Sequence, residues 1–398
     1  MATFVGTGVG IEKNSFEAAR QAALQAKIEL AQKRIDIGFV FASNQLSNQS
    51  LLKGIRETIG PYIPIVGASS EKIIHTKNIE RNAVAVMLIS SDQIHFSASH
   101  ELQVDQKEKQ FNLGQQLANN LLLDSKTLAR HLCIWFTDGL LPNQSGLTLG
   151  LQQRLGRSFP IIGGSSSDGL RFKKNFQFHN EDVFSNGISA TLCGGKLNFA
   201  SASHHGWKPL GKPHQITFSI DNIIYEIDNE PAINLYKNYF SMSPSDLKIP
   251  NFWTIAFRYP LGIYLNQEKQ YLLRPVIEIG PNGSLICQSN ISFNKEIRLM
   301  MATRESCLGA ADLTCLEIKE QFKNRQINFC FIFQSLFREK ILGRDMAKEI
   351  NLIRENLGKN IPFIGLNTYT EQAPLRALLY EGQSVSHCGT ISILAIGE

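Results

Sequence analysis

The sequence predicts a layered α/β protein with mixed sheets, built from duplicated strand-helix-strand-strand units. Two observations carry this. An amphipathic helix, an apolar strand, a second helix stopping at glycine, a short strand of the form IPIVG, FPIIG or IPFIG, and a closing strand recur in that order. The composition, 43% hydrophobic and 19% charged over 398 residues, is globular and long enough for two or three domains. The copies recur at about 100 residues, far beyond solenoid periods, so the pattern is domain duplication and not a repeat array.

The first copy opens with a strand near Phe4–Gly8 and a helix from Ser15 to about Ala31, with Ala18, Ala22, Ala23, Ala26 and Leu30 on one face. DIGFVFAS, Asp36–Ser43, reads as a buried strand. A helix near Asn48–Ile59 stops at Gly60, Ile63–Ile73 is strand and loop, and Val84–Ser90 closes the unit. The second copy runs from His95–His100 through a helix at Phe111–Leu123, a strand at His131–Gly139, a helix at Gly146–Leu155 and the FPIIGGSSSDG strand and loop. Gly187–Gly195 closes it. The third has a helix at Thr303–Phe322, a strand at Asn328–Ser335, a helix at Arg344–Leu357, a strand and loop at Ile361–Pro374 and a closing strand at Gly389–Gly397.

A region of different character lies between copies two and three, about Ser201–Asn290. Strands are expected at Gln215–Ser219 and Ile223–Ile227, and a helix at Glu230–Tyr239 capped by Asp228 with Pro231 in its first turn. A loop holding Pro244, Pro250 and Pro260 leads to strands at Tyr271–Glu278 and Leu285–Ile291, with Asn282-Gly283 marking a hairpin. The halves divide near residue 220, giving 1–220 and 221–398.

A net charge of +5 without a long basic run argues against nucleic acid as a partner. No run of about 18 apolar residues occurs, so no membrane span is expected. No secretion signal is visible, and the seven scattered cysteines form no CxxC pair. A reducing, cytoplasmic setting with buried thiols follows as the expectation. No nucleophile elbow, zinc-protease motif or phosphate-cradling loop occurs, so no enzyme is expected.

Phe159–Lys174, FPIIGGSSSDGLRFKK, is the most distinctive stretch. Gly163, Gly164, Ser165, Ser166 and Ser167 free backbone N–H groups and hydroxyls while keeping bulk away, which suits close approach of a ligand. With Asp168 and Arg171 the loop could hold a carboxylate such as an amino acid; equally, Asp168 could pair with Arg171 and brace a turn. Its C-terminal counterpart contains Tyr369, Glu371 and Pro374 with Arg338, an arginine and a glutamate that could pair or line a pocket.

WFTDG, FPIIGGSSSDGLRFKKNFQF, HGWKPLG, EPAINLYKNYF and YTEQAP resemble the FIST proteins, from about residue 30 to the C-terminus, with both FIST N-terminal and C-terminal regions. The resemblance implies a ligand-sensing module that signals to partner proteins. A free-standing chain of this length looks most like the NosP type: haem-bearing nitric oxide sensors acting on a histidine kinase or another two-component protein. It directs attention to His204-His205-Gly206-Trp207, where His205 matches the family's HGW and would be the iron ligand, His204 its neighbour and Trp207 a stacking surface; the alternative is a structural histidine that ties the turn to a carboxylate or carbonyl. Arg171 could then meet a haem propionate. Where many members carry a cysteine three residues before an arginine, this chain has Ser335-Leu336-Phe337-Arg338, keeping the arginine only. FSASH, ending at His100, parallels ASASH, ending at His204. The alternatives are a haem-free sensor of a small carboxylate and a ligand-free interaction adaptor.

Overall fold

The computed structural model describes all residues except 1, 32, 126, 142, 267, 292–295, 324, 376–381 and 398. The first unit comprises β1 (Thr3–Gly10), α1 (Ser15–Glu29), β2 (Ile37–Ser43), α2 (Gln49–Ile59), β3 (Ile65–Ser70), the hairpin β4 (Lys72–His75) and β5 (Asn78–Arg81), and β6 (Val84–Ser91). The second repeats this order: β7 (Ile94–Leu102), α3 (Gln110–Leu123), β8 (Arg130–Thr137), α4 (Ser145–Leu155), β9 (Ile161–Ser165), the hairpin β10 (Gln177–His179) and β11 (Asp182–Phe184), and β12 (Gly187–Gly195).

The third unit starts earlier than the sequence suggested, at β13 (Asn198–His204), the ASASH strand. It is then interrupted by β14 (Lys208–Ile220), β15 (Ile223–Ile227), β16 (Glu230–Pro231), α5 (Asn234–Phe240), α6 (Asn251–Ala256), β17 (Leu261–Leu265), β18 (Gln270–Arg274), β19 (Val276–Ile279), β20 (Leu285–Cys287) and β21 (Glu296–Met301). It resumes with α7 (Arg304–Phe322), β22 (Ile327–Ser335), α8 (Leu336–Leu342), α9 (Met346–Leu357), β23 (Phe363–Thr368), the hairpin β24 (Glu371–Pro374) and β25 (Ser384–His387), and β26 (Ile391–Gly397). The intervening region is therefore an insertion inside unit three. A cut at residue 220 would separate β14 from β15, which pair along Ile216–Ile220.

Three sheets share one plan, in the orders β1-β6-β2-β3-β10-β11, β7-β12-β8-β9-β24-β25 and β13-β26-β22-β23-β4-β5. In each, the two apolar strands run parallel, as Phe41 beside Ala68 in β2 and β3. Each outer hairpin comes from a different unit. The second unit's β10 pairs with β3, the third unit's β24 with β9, and the first unit's β4 with β23. No unit completes its own sheet, so the ladder hydrogen bonds of each depend on the others.

The inner faces of the three sheets meet in a common core holding Phe39, Phe41, Phe136, Phe331 and Phe333. The rings interlock, with Phe39 and Phe331 centroids 4.6 Å apart and Phe41 and Phe136 5.2 Å apart. The outer face of each sheet carries a helical layer with its own apolar cluster. Burial on both faces is why these strands read as unbroken apolar runs.

Helix α1 docks through the predicted alanine face, where Ala18, Ala22, Ala23 and Ala26 are fully buried. Glycines alternate opposite them on β1. A Cβ at Gly8 would stand 2.0 Å from the Ala22 carbonyl oxygen, and one at Gly6 2.0 Å from that of Ala26. Gly8→Ala is expected to cost about 1–3 kcal/mol because the helix must move away from the strand. Gly309→Ala, in α7 with nothing within 4 Å of the added carbon, is expected to be neutral or stabilising. Urea midpoints of the two variants check the contrast.

The fourth sheet runs β18-β17-β21-β14-β15-β20-β19, with β16 beside β15, over a core including Tyr236, Phe252, Leu261 and Leu299. Several expectations for it are corrected. Glu230 and Pro231 pair as strand with Ile227 and Glu226, so the helix is only Asn234–Phe240. Asp228 sits at φ 53° and accepts from the Gln215 N–H and from His214, so it holds a turn and caps no helix. The strand expected at Tyr271–Glu278 breaks at Pro275 into β18 and β19, which pair with different strands. The Asn282-Gly283 turn does join β19 to β20, both residues at positive φ.

Candidate functional site

The three polar corners that follow β3, β9 and β23 converge. The Ser70 and Ser167 hydroxyls both donate to the Asn367 carbonyl, at 2.7 and 2.6 Å, and lie 3.2 Å from each other. The Thr370 N–H donates to Ser165 Oγ and the Ser165 N–H to the Thr370 carbonyl, each at 2.9 Å. Ser166 Oγ accepts from Gln177 Nε2 at 2.8 Å.

The corners meet in a junction buried from solvent. Ser165, Ser166, Ser167 and Asp168 are buried and their polar groups are committed to protein partners. Asp168 accepts from the backbone N–H groups of Phe172, Lys173 and Lys174 and from the Tyr369 hydroxyl. Arg171 donates through Nε to the Asp168 carbonyl at 2.7 Å, so the loop is braced, though through the backbone and not by the expected side-chain pair. Gly163 and Gly164 serve packing: a Cβ would meet the Trp135 carbonyl at 2.0 Å and Thr368 Cγ2 at 2.5 Å. The open ligand loop expected at Gly163–Arg171 is therefore corrected to a buried junction, because three such loops satisfy one another.

Arg338 pairs with Glu349 of α9 and not with Glu371, both partners being 0% exposed. It also donates to the carbonyls of His205, at 2.6 Å, and Cys307, at 2.8 Å. Glu349 further accepts from Gln334 Nε2, and Gln334 Oε1 accepts from Asn367 Nδ2 at 2.7 Å. One buried polar chain thus runs from the serine junction through Asn367, Gln334, Glu349 and Arg338 to the HGW turn. Glu371 accepts from the hydroxyls of Thr368 and Thr390, and burial pushes its carboxyl up to about 7.

The HGW turn does not fit an iron ligand. His205 Nδ1 accepts from the Trp207 N–H at 2.8 Å and Nε2 donates to the Tyr271 carbonyl at 3.0 Å, so both ring nitrogens are engaged. Burial lowers its pKa to about 4, keeping the imidazole neutral, as this clasp requires. Gly206 gives close approach to protein: a Cβ would stand 2.5 Å from the Ser306 carbonyl. Trp207, 3% exposed, packs against Leu273, Met300 and Met346 and donates Nε1 to the Arg258 carbonyl. His204 meets Glu317 at 2.7 Å. His100 occupies the matching end of β7 but stacks on His179, with centroids 4.5 Å apart. A broad surface cleft of about 590 Å³ lies beside the turn, between Lys269–Tyr271 and the Ser306–Leu313 stretch of α7. Among the described residues no cluster of three or more His, Cys, Asp or Glu could hold a metal ion.

A more enclosed cavity of about 260 Å³ lies where unit two, the β24–β25 hairpin and the inserted sheet meet. Asn143, Gln144, Ser145 and Thr148 at the start of α4 form one wall, Ser384 and Ser386 of β25 another, with Arg274 and Asn290 from the insertion. Arg274 is 2% exposed. Its Nε donates to the Asn290 carbonyl at 2.6 Å and its Nη1 to those of Leu273 and Ser386, at 2.8 and 3.3 Å. Nη2 has no partner among the described residues, and no described carboxylate forms an ion pair with this arginine. Sequence reasoning passed over Arg274, because an arginine in a mixed strand carries no signal of burial. Gln334 and Glu349 were detectable: one is polar within NFCFIFQS, and the other shares the buried face of α9 with Met346, Ile350 and Ile353.

Fold and site together define a three-unit mixed α/β scaffold with a fourth sheet inserted and a polar cavity at the seam between them. The chain belongs to the FIST family: the FIST N domain matches residues 36–230 and the FIST C domain residues 232–374. FIST domains are associated with sensory signal transduction. The uncharacterized protein MJ1623 of Methanocaldococcus jannaschii is 34% identical over 98 residues, a stretch covering 24% of this chain and 19% of that protein. Cyanuric acid hydrolase from A. caulinodans superposes with a TM-score of 0.44 at 8% identity, over 99% of each chain. A second cyanuric acid hydrolase structure, described as an innovation by structural concatenation, gives 0.39 at 8% identity over the whole of both chains. Among the described residues no helix is long and apolar enough to cross a membrane.

Proposed function

We propose that this chain is a sensory ligand-binding protein that receives a small molecule in the Arg274 cavity and passes its state to a partner. The observation that carries this is the position of the cavity: its walls come from α4 within the FIST N match, from Arg274 and Asn290 within the FIST C match, and from β25 just beyond it. A molecule seated there would bind one arrangement of the three better than another, and that difference in affinity is what a sensor transmits. The receiver is proposed to be a histidine kinase or a related signalling protein, on the family resemblance.

A haem nitric oxide sensor is the less favoured reading, because His205 would have to give up the Trp207 or Tyr271 hydrogen bond to reach iron. Catalysis is not part of the proposal, since the corner serines are buried and bonded within the fold. Purified chain titrated with haemin is expected to show no Soret band beyond that of free haemin. A sharp Soret band that shifts with nitric oxide and disappears in His205→Ala would overturn the haem-free reading.

A further inference from the structure

Resting on that reading, we propose that the occupant of the cavity is a small monoanion of the carboxylate class without an ammonium group, its carboxylate held by Arg274. Arg274 is a guanidinium withdrawn from water and satisfied on three sides by carbonyl oxygens, with Nη2 left over. Carbonyls accept hydrogen bonds but bring no opposite charge, and a buried charge without a counter-ion is costly. The usual protein solution is an aspartate or glutamate, and among the described residues that line this cavity there is no carboxylate. The ion is thus left for something that comes from outside.

The surroundings narrow the chemistry. The first turn of α4 forms one wall through Ser145 and Thr148, and the start of a helix carries partial positive charge that favours an anion. The N-cap residue, Gln144, gives this end no side-chain cap, its amide being turned to Thr137, Asp138 and Leu141, although Asn143 Oδ1 accepts from the Ser145 N–H at 3.1 Å and from its hydroxyl. His387, next along β25 from Ser386, is held neutral by burial, with its pKa lowered to about 3, and adds no second cation. Among the described walls Arg274 is the one positive group, which favours an occupant of charge minus one. An ammonium would find hydroxyls and amides but no carboxylate on the described walls, which argues against the free amino acid that the sequence suggested. A volume of about 260 Å³ has room for roughly eight water-sized groups, below the range of ordinary drug-sized pockets. Glycolate and pyruvate fit within this space.

The test is thermal unfolding of the full chain with glycolate, pyruvate, succinate, glycine and the neutral analogue glycolamide, each against sodium chloride at matched ionic strength. Glycolate or pyruvate is expected to raise the midpoint in a saturable way, succinate less because its second carboxylate has no partner, and glycine and glycolamide not at all. Arg274→Gln is expected to weaken the response at least tenfold. Should that variant not fold, Gln383→Glu supplies a carboxylate at the cavity wall and is expected to raise the midpoint and abolish the anion response. Stabilisation by glycolamide with none by the anions would overturn the anion class while leaving the cavity as the ligand site. No response to any compound beyond sodium chloride would remove both. An anion response unchanged in Gln383→Glu, or in a folded Arg274→Gln, would place the binding elsewhere.

Discussion

Replacing Glu349 with alanine is expected to lower the free energy of unfolding by about 3–5 kcal/mol. The carboxylate is the only counter-ion bonded to Arg338 among the described residues, and both side chains are fully buried. Without it, Arg338 keeps the carbonyls of His205 and Cys307 but has no opposite charge, in a place water does not reach. Gln334 loses an acceptor at the same time. Arg338→Met combined with Glu349→Leu is expected to be less harmful than Glu349→Ala alone, since removing both charges leaves no ion stranded. Urea unfolding followed by tryptophan fluorescence checks both values. A cost below about 1 kcal/mol for Glu349→Ala would mean that Arg338 finds another anion or reaches water.

The second large effect is on pH dependence. Glu371 is fully buried, and burial holds its carboxyl up to about 7, against 4.5 for an ordinary glutamate, despite the hydroxyls of Thr368 and Thr390. Below about 4.5 folded and unfolded chains both carry the proton, and this group does not oppose folding. From there to about 7 the unfolded chain releases its proton while the folded chain keeps it, so stability falls as pH rises. The loss is on the order of 3 kcal/mol across that window and levels off above it. Glu371→Gln keeps the shape and removes the titration. The difference in unfolding free energy between the two proteins should therefore move in favour of the variant from pH 5 to pH 8. A difference that does not change over that range would show that Glu371 stays ionised when folded, sustained by the nearby charge of Arg338.

Periodicity carried much of the fold. The alanine face of α1, the mainly apolar strands Ile37–Ser43 and Ile327–Ser335 and the glycine stops at Gly60, Gly156 and Gly358 all follow from local rules. The inserted sheet was harder to read. Its long strand β14 is mostly exposed and most of the others are short, Pro231 and Pro275 interrupt the pattern, and a helix-like spacing at Glu230–Tyr239 competes with a two-residue strand. The site was the least legible part. FPIIGGSSSDG and HGW stand out in the sequence because they are rich in small and polar groups. Those same groups let three corners, and a turn and a helix, pack closely, and packing is how they are used.

The amino-acid sequence by itself determined that this chain is a repeated α/β protein of the FIST type, with the order of strands and helices in each copy. Tertiary structure alone decided that the outer hairpins pass from unit to unit, that the third unit is split by a sheet, and that the glycine-serine corners are filled while a cavity opens beside Arg274. The reason is range. Periodicity and caps act over a few residues, whereas a hairpin's choice of sheet, or an arginine's lack of a counter-ion, depends on residues more than a hundred positions away.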